Sequence, residues 1–249
     1  MNLKLQDKVA IVTGASRGLG YAAVLALLEE GTRIVATARS TKDLEELAAR
    51  APDRILPVTC DMRDMDAVAA LVPQCIERFG RIDIVVNNAG IAPAGAFLDQ
   101  TVEGLEELMA VNVIAPGVLS KEAGRHMIEQ RSGKIINVAS ISGLRGKPVL
   151  VGYSASKGAL IQMSKALAAE WARYNVQVNA IAPGGFVTEA QAAVVNNEDV
   201  FKKRVRKIPA GRMADPTEIG PMVCYLASEL SDFVTGAVLV IDGGETAKI

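Results

Sequence analysis

Several things are scarce in this chain of 249 residues, and each shortage removes a class of function. There is one histidine, His126, and there are three distant cysteines, Cys60, Cys75 and Cys224, with no Cys-x-x-Cys pair. Such a set does not make a zinc site, and an odd number of scattered thiols is no disulfide framework. With a formal charge of −1 the chain has no excess of positive charge for nucleic acid or an anionic membrane. Short basic runs such as Lys202-Lys203-Arg204 read as a solvated helix face. No apolar run approaches ~18 residues, the length of a membrane-spanning helix. The polar-rich start, Met1 to Lys8, does not read as a targeting leader. The expectation is a soluble, cytoplasmic protein with neither a nucleic-acid nor a membrane partner. Aromatics make up only 4% of residues while half are hydrophobic, so the core must be built from Ala, Val, Ile and Leu.

What is abundant is alternation. Short β-branched runs at Val9–Thr13, Arg33–Thr37, Ile55–Thr59, Ile82–Val86, Lys134–Val138, Val176–Ile181 and Ala237–Ile241 read as strands. Helical patterns separate them, at about Leu19–Glu30, Thr41–Ala49, Asp64–Phe79, Val102–Gln130 and Gly152–Arg173. Strands that are apolar throughout are covered on both faces, and regular alternation with helices implies right-handed βαβ crossovers. The predicted fold is α/β: a Rossmann-type doubly wound parallel sheet of about seven strands with helices on both faces, in a single domain spanning 1–249. One segment, 184–217, breaks the alternation with Pro183, Gly184, Gly185, Pro209, Gly211 and Pro216 around a polar helical stretch, Glu189 to Lys207. It follows the C-terminal end of the sixth strand, where open parallel sheets bind ligands, and reads as a flap over a substrate.

The turn after the first strand is glycine-rich: Gly14, Ser16, Arg17, Gly18, Leu19 and Gly20 within TGASRGLG. Glycine lets backbone approach a ligand closely, and the following helix offers free N–H groups and a positive dipole end to a phosphate. The second strand ends in Ala38-Arg39-Ser40, with no acid until Asp43. An acid there would bond a ribose 2′-hydroxyl; arginine suits a 2′-phosphate instead, so Arg39, with Arg17, points to NADP(H) over NAD(H).

On the predicted helix Gly152–Arg173, Tyr153 and Lys157 stand one turn apart on one face. A nearby ammonium favours the phenolate and is expected to lower the tyrosine pKa, making the pair a device for moving a proton to or from a carbonyl or alcohol oxygen.

TGASRGLG (13–20), Asp61 after the third strand, NNAG (87–90), Asn112, Ser140, Y-x-x-x-K (153–157), PGGFVT (183–188) and DGG (242–244) occur in order along the chain. Together they resemble the short-chain dehydrogenase/reductase family in its compact one-domain branch. The resemblance implies that Tyr153 is the acid/base, that Lys157 lowers its pKa and holds the nicotinamide ribose, and that Ser140 bonds the substrate oxygen. Ser142 is the alternative serine; Ser140 directly follows the strand and stands 13 residues before Tyr153. Asn112 would hold a water linking Lys157 to solvent. Asp61 and Met62 would contact adenine, Asn87, Ala89 and Gly90 would line the cofactor path, and Pro183, Gly184, Phe186 and Thr188 would receive the nicotinamide. The implied activity is NADP(H)-dependent interconversion of a ketone and a secondary alcohol, by a homotetramer acting on a small carbonyl or alcohol substrate. A 3-oxoacyl-thioester reductase and a sugar, polyol or steroid dehydrogenase both fit, and a non-catalytic nucleotide-sensing protein is the alternative from another class. Arg131 matches one basic position by which ketoacyl reductases bind a carrier protein, whereas the second falls at Tyr174, beside Arg173.

Overall fold

A computed structural model describes residues 2–248. The strands are Val9–Thr13 (β1), Arg33–Ala38 (β2), Ile55–Thr59 (β3), Ile84–Asn87 (β4), Gly133–Val138 (β5), Val176–Pro183 (β6) and Val238–Ile241 (β7). They form one sheet in the order β3-β2-β1-β4-β5-β6-β7, and every neighbouring pair is parallel. Parallel pairing requires a crossover between strands, which the helices provide: Gly18–Glu29 (α1), Thr41–Ala48 (α2), Met65–Phe79 (α3), Val102–Met109 (α4), Ala115–Gln130 (α5), Val151–Trp171 (α6), Ala192–Val195 (α7), Glu198–Val205 (α8) and Gly220–Ala227 (α9).

The pleat sorts the side chains of β1 between two cores. Ala10 and Val12 pack with residues of α1, α2 and α9, among them Val24, Leu27, Leu44 and Val223. Val9 and Ile11 pack on the other face with Val68, Leu71, Leu119 and Met127 of α3 and α5. This is why the central strands are apolar at every position. The chain order turns back between β1 and β4, and a cleft opens beyond the C-terminal ends of the strands at that switch.

Element boundaries follow local chemistry. Asp64 caps α3 by accepting from the N–H groups of Asp66 and Ala67, and Gly80 ends it in the left-handed conformation at φ 79°. β4 starts two residues later than its apolar run; at its entry Asp83 bonds β1 and β5 through its backbone, while its side chain accepts from the Val9 N–H at 2.9 Å and is forked by Arg81. β6 runs on to Pro183, where it still pairs with Ile241 of β7.

The expected single helix from Val102 to Gln130 is instead two α-helices joined by a π turn, Ala110–Ile114. The polar helical stretch 189–207 is likewise split, since Asn197 caps α8 by accepting from the Val200 N–H. Neither α7 nor α8 contains a buried residue. No helix among the described residues is long and apolar enough to cross a membrane.

Candidate active site

The cleft has a volume of about 540 Å³. At one end lies the β1–α1 turn, where Gly14 (φ +67°) and Gly18 (φ +56°) adopt backbone angles that side-chain-bearing residues avoid. Gly20 does not face the cleft; a Cβ there would meet the Gly14 carbonyl oxygen at 2.2 Å, so its part is to let α1 close on the turn. The turn is tied to the end of β4 by side chain and backbone. Asn88 Nδ2 donates to the carbonyls of Thr13 (2.9 Å) and Gly14 (3.2 Å), and Thr13 Oγ1 accepts from the N–H groups of Asn88 and Ala89, both at 3.0 Å.

Ser16, Arg17, Leu19, Arg39, Asp61 and Met62 line this end, and Ala89 and Gly90 lead away from it. Arg17 and Arg39 are exposed and form no hydrogen bond or ion pair among the described residues. Asp61 is differently placed. Arg63 folds back on it through Nε at 3.0 Å and through its backbone N–H at 2.9 Å, and holds its carboxyl down at about 2.

At the other end stand Ser140, separated from the end of β5 by Ala139 alone, and Tyr153 and Lys157 in the first turns of α6. Ser140 Oγ accepts from the Ser142 N–H at 3.1 Å, which leaves its own proton to be donated into the cleft. Lys157 is buried; its Nζ donates to the Val138 carbonyl at 2.8 Å and lies 5.9 Å from the centre of the Tyr153 ring. Burial lowers the Lys157 pKa to about 8. The expected lowering of the Tyr153 pKa is not what the protein shows. Burial of its hydroxyl end pushes the phenol up, the Ser140 hydroxyl pulls it down by less, and Lys157, itself short of solvation, does not offset the burial.

Asn112 sits in the π turn, fully buried and outside the lining of the cleft. Its carboxamide acts as a clamp: Oδ1 accepts from the Ile91 N–H (2.9 Å), and Nδ2 donates to the Ile91 carbonyl (2.9 Å) and to Ser156 Oγ (3.0 Å). Ser156 Oγ in turn donates to the Tyr153 carbonyl at 2.8 Å. The side chain therefore sets the relative position of the loop after β4 and the start of α6.

Pro183, the last residue of β6, and Gly184, Phe186 and Thr188 after it run along the cleft wall. Gly184 is required there, because a Cβ would fall 2.6 Å from that of Asp242. Phe186 is more than a lining residue. It is buried in the α1–α9 core and bridges to Ala214, closing the base of the 184–217 segment.

Asn87 departs from expectation. Its side chain turns away from the cleft into the core, donating to Asn137 Oδ1 (2.8 Å) and Ser120 Oγ (3.1 Å), while its neighbour Asn88 takes the cleft side. Alternation at a strand end makes one of two adjacent asparagines face each way, and the sequence does not say which. Arg63 and Lys147 also line the cleft and carry no motif that would single them out. Arg131 ends α5 just before β5, at the end of the sheet opposite the cleft, with its guanidinium on the Arg173 carbonyl at 3.0 Å.

These features fit a nicotinamide dinucleotide. The two left-handed glycines open backbone to a pyrophosphate, two free guanidiniums flank the ribose position, and a Cβ on Gly90 would stand 3.1 Å from Asn112 Oδ1 and 3.4 Å from Lys157 Nζ. Comparison with known proteins agrees. A family model described as enoyl-(acyl carrier protein) reductase matches residues 14–246. A 3-oxoacyl-(acyl-carrier-protein) reductase of Thermotoga maritima is 34% identical over 245 residues, covering 97% of this chain and 99% of that one. A 3α-hydroxysteroid dehydrogenase of Mediterraneibacter gnavus is 38% identical over 248 residues, 98% of each chain. A solved gluconate 5-dehydrogenase from Burkholderia cenocepacia, in complex with NADP and tartrate, matches with a TM-score of 0.94 at 34% identity, covering 100% of this chain and 98% of that one. Their names share a reaction class and differ in substrate.

Proposed function

The chain belongs to the short-chain dehydrogenase/reductase family, oxidoreductases of CH–OH and keto groups that bind a nicotinamide cofactor, and from that premise we propose that it interconverts a ketone and a secondary alcohol with NADP(H). The observation that carries this reading is the placement of Ser140, Tyr153 and Lys157 at one end of a cleft whose other end holds the unpartnered Arg17 and Arg39. Those two guanidiniums suit a 2′-phosphate, which is the support for NADP(H) over NAD(H).

The nicotinamide, when bound, gives or takes the hydride. Ser140 donates its free proton to the substrate oxygen and holds it against Tyr153, stabilising the charge that develops there. Tyr153 delivers the proton in the reductive direction, for which a phenol kept protonated by burial is suited. In the oxidative direction it accepts the proton, helped by the Lys157 ammonium, which is still charged at neutral pH. Asn112 acts as a positioning residue through Ile91 and Ser156. Residues 184–217 cover the substrate, and the chain works as one domain in a homotetramer.

The test is NADPH oxidation by purified protein against a panel of ketones, with NADH as control; a clear preference for NADH would remove the assignment of Arg17 and Arg39. Tyr153→Phe should lower kcat by about 10²- to 10⁴-fold and leave NADPH affinity within a few-fold. Near-full turnover in that variant would end the acid/base assignment.

A further inference from the structure

The substrate end of the cleft holds a cation for which the chain provides no anion. Lys147 reaches it from the loop between Ser140 and Tyr153, and Arg204 reaches it from α8 on the facing segment. Arg204 is matched: Glu245 forks its guanidinium at 2.7 and 2.6 Å in a largely buried pair. Lys147 is not. The residue is exposed, and its amine makes no hydrogen bond or ion pair among the described residues. The charged groups that face it are Arg204 and Lys207, which oppose its charge, and Glu245, which is already engaged. Burial and these two cations lower its pKa, with Glu245 pulling the other way.

The remaining acids of the cleft are placed elsewhere. Asp61 and Glu107 are bonded by Arg63 at the nucleotide end. Asp43 lies there too, in the first turn of α2 beside Arg39 and Ser40. Glu189 stands over the β1–α1 turn, its Oε2 3.6 Å from where a Cβ on Gly18 would be. An ammonium that lines a cleft among like charges is unfavourable alone and becomes favourable when a ligand brings a negative charge to it.

We propose that Lys147 is a specificity-determining residue that binds a carboxylate of the substrate, so that the natural substrates are hydroxy acids and the corresponding keto acids. This rests on the oxidoreductase reading of the same cleft. The Lys147 ammonium is one compact charge with rotatable donors, which suits a carboxylate at the far end of a short polyhydroxy chain whose carbonyl lies against Ser140 and Tyr153. A neutral ketone in the same pose leaves it unmatched.

The experiment compares a six-carbon aldonate (gluconate) and shorter 2- and 3-hydroxy acids with neutral alditols and cyclic alcohols, using NADP⁺, in wild type and in Lys147→Ala. Titration calorimetry of gluconate into the NADP⁺-loaded protein gives a readout apart from turnover. The wild type should prefer the acids. Lys147→Ala, at an exposed loop position, should raise KM and Kd for an acid by about 10- to 100-fold, with kcat within about threefold and neutral substrates unchanged. Lys147→Arg should recover part of the loss. Equal effects on acids and neutral alcohols, or none on either, would overturn the proposal, as would a wild type that turns over neutral substrates and neither binds nor oxidises any acid. That last result would leave the oxidoreductase reading standing, whereas unimpaired turnover in Tyr153→Phe would remove the reading and not the anion site.

Discussion

At the nucleotide end of the cleft the backbone is tied down by side chains. Asn88 and Thr13 lock the β1–α1 turn to the end of β4, and Gly20 lets α1 close to within a methyl group's reach of the Gly14 carbonyl. At the substrate end, α7 and α8 bury no residue, and the segment that carries them is anchored around them by the Phe186–Ala214 bridge, by Arg204 on Glu245, by the buried Ile208 and Met213, and by the Ala210 N–H on the Gly243 carbonyl. The difference follows from what each end must bind. On the function proposed above, a pyrophosphate would be met by main-chain N–H groups, which demand fixed geometry and glycine, and a substrate by side chains beside two helices that bury nothing.

Three measurements sharpen or break that contrast. The largest effect is expected between the two ends, at Lys157. Its folded pKa of about 8 lies below the ordinary lysine value, so between about pH 8 and 10.5 the unfolded chain holds the extra proton, and stability rises with pH across that window. The contribution is at most roughly 3 kcal/mol. Denaturant melts of wild type and Lys157→Met at pH 7.5 and pH 10 check it: the wild type should gain on the variant as pH rises, and parallel curves would mean that the ammonium is not desolvated. Next comes Gly20→Ala, expected to lower stability by about 1–3 kcal/mol and to weaken NADPH binding, because the new methyl group meets backbone that is itself tied down. Smallest is Asn197→Ala. It removes the cap of α8, which costs about 1 kcal/mol locally and should scarcely move the global Tm, while proteolysis within 187–213 speeds up. A Tm loss from Asn197→Ala equal to that from Gly20→Ala would show that the two ends are equally cooperative.

The same contrast separates what was legible in the sequence from what was not. Buried strands advertise themselves as β-branched runs, and all seven lie within two residues of their expected bounds. The β1–α1 turn and the Tyr153–Lys157 pair were legible because backbone geometry and helix spacing leave few residue choices. Asn87 and Asn88 could not be told apart, since a one-residue change of phase exchanges core for cleft. The sign of the Tyr153 shift was missed because spacing shows a neighbour and not the solvent removed from around it. Lys147 had no motif to find: its meaning comes from Arg204 and Glu245, 57 and 98 residues away in the chain. The break between α4 and α5 did have a signal, Pro116, which has no N–H to give the Asn112 carbonyl four residues back, but the unbroken apolar spacing of Ala-Val-Asn-Val-Ile masked it.

That break works as a phase shifter. An α-helix advances about 100° per residue, so one residue more in a single turn rotates everything after it by nearly a third of a revolution relative to what came before. α4 thus turns Leu105 and Leu108 toward Gly152 of α6 while α5 presents Leu119, Ala123 and Met127 to the sheet, residues that a straight helix would hold on one stripe. Asn112 lies within the shift itself. The length of this one turn, and not only the residues in it, is therefore under constraint: a one-residue deletion there leaves the composition nearly unchanged and puts the two halves of the helix out of step.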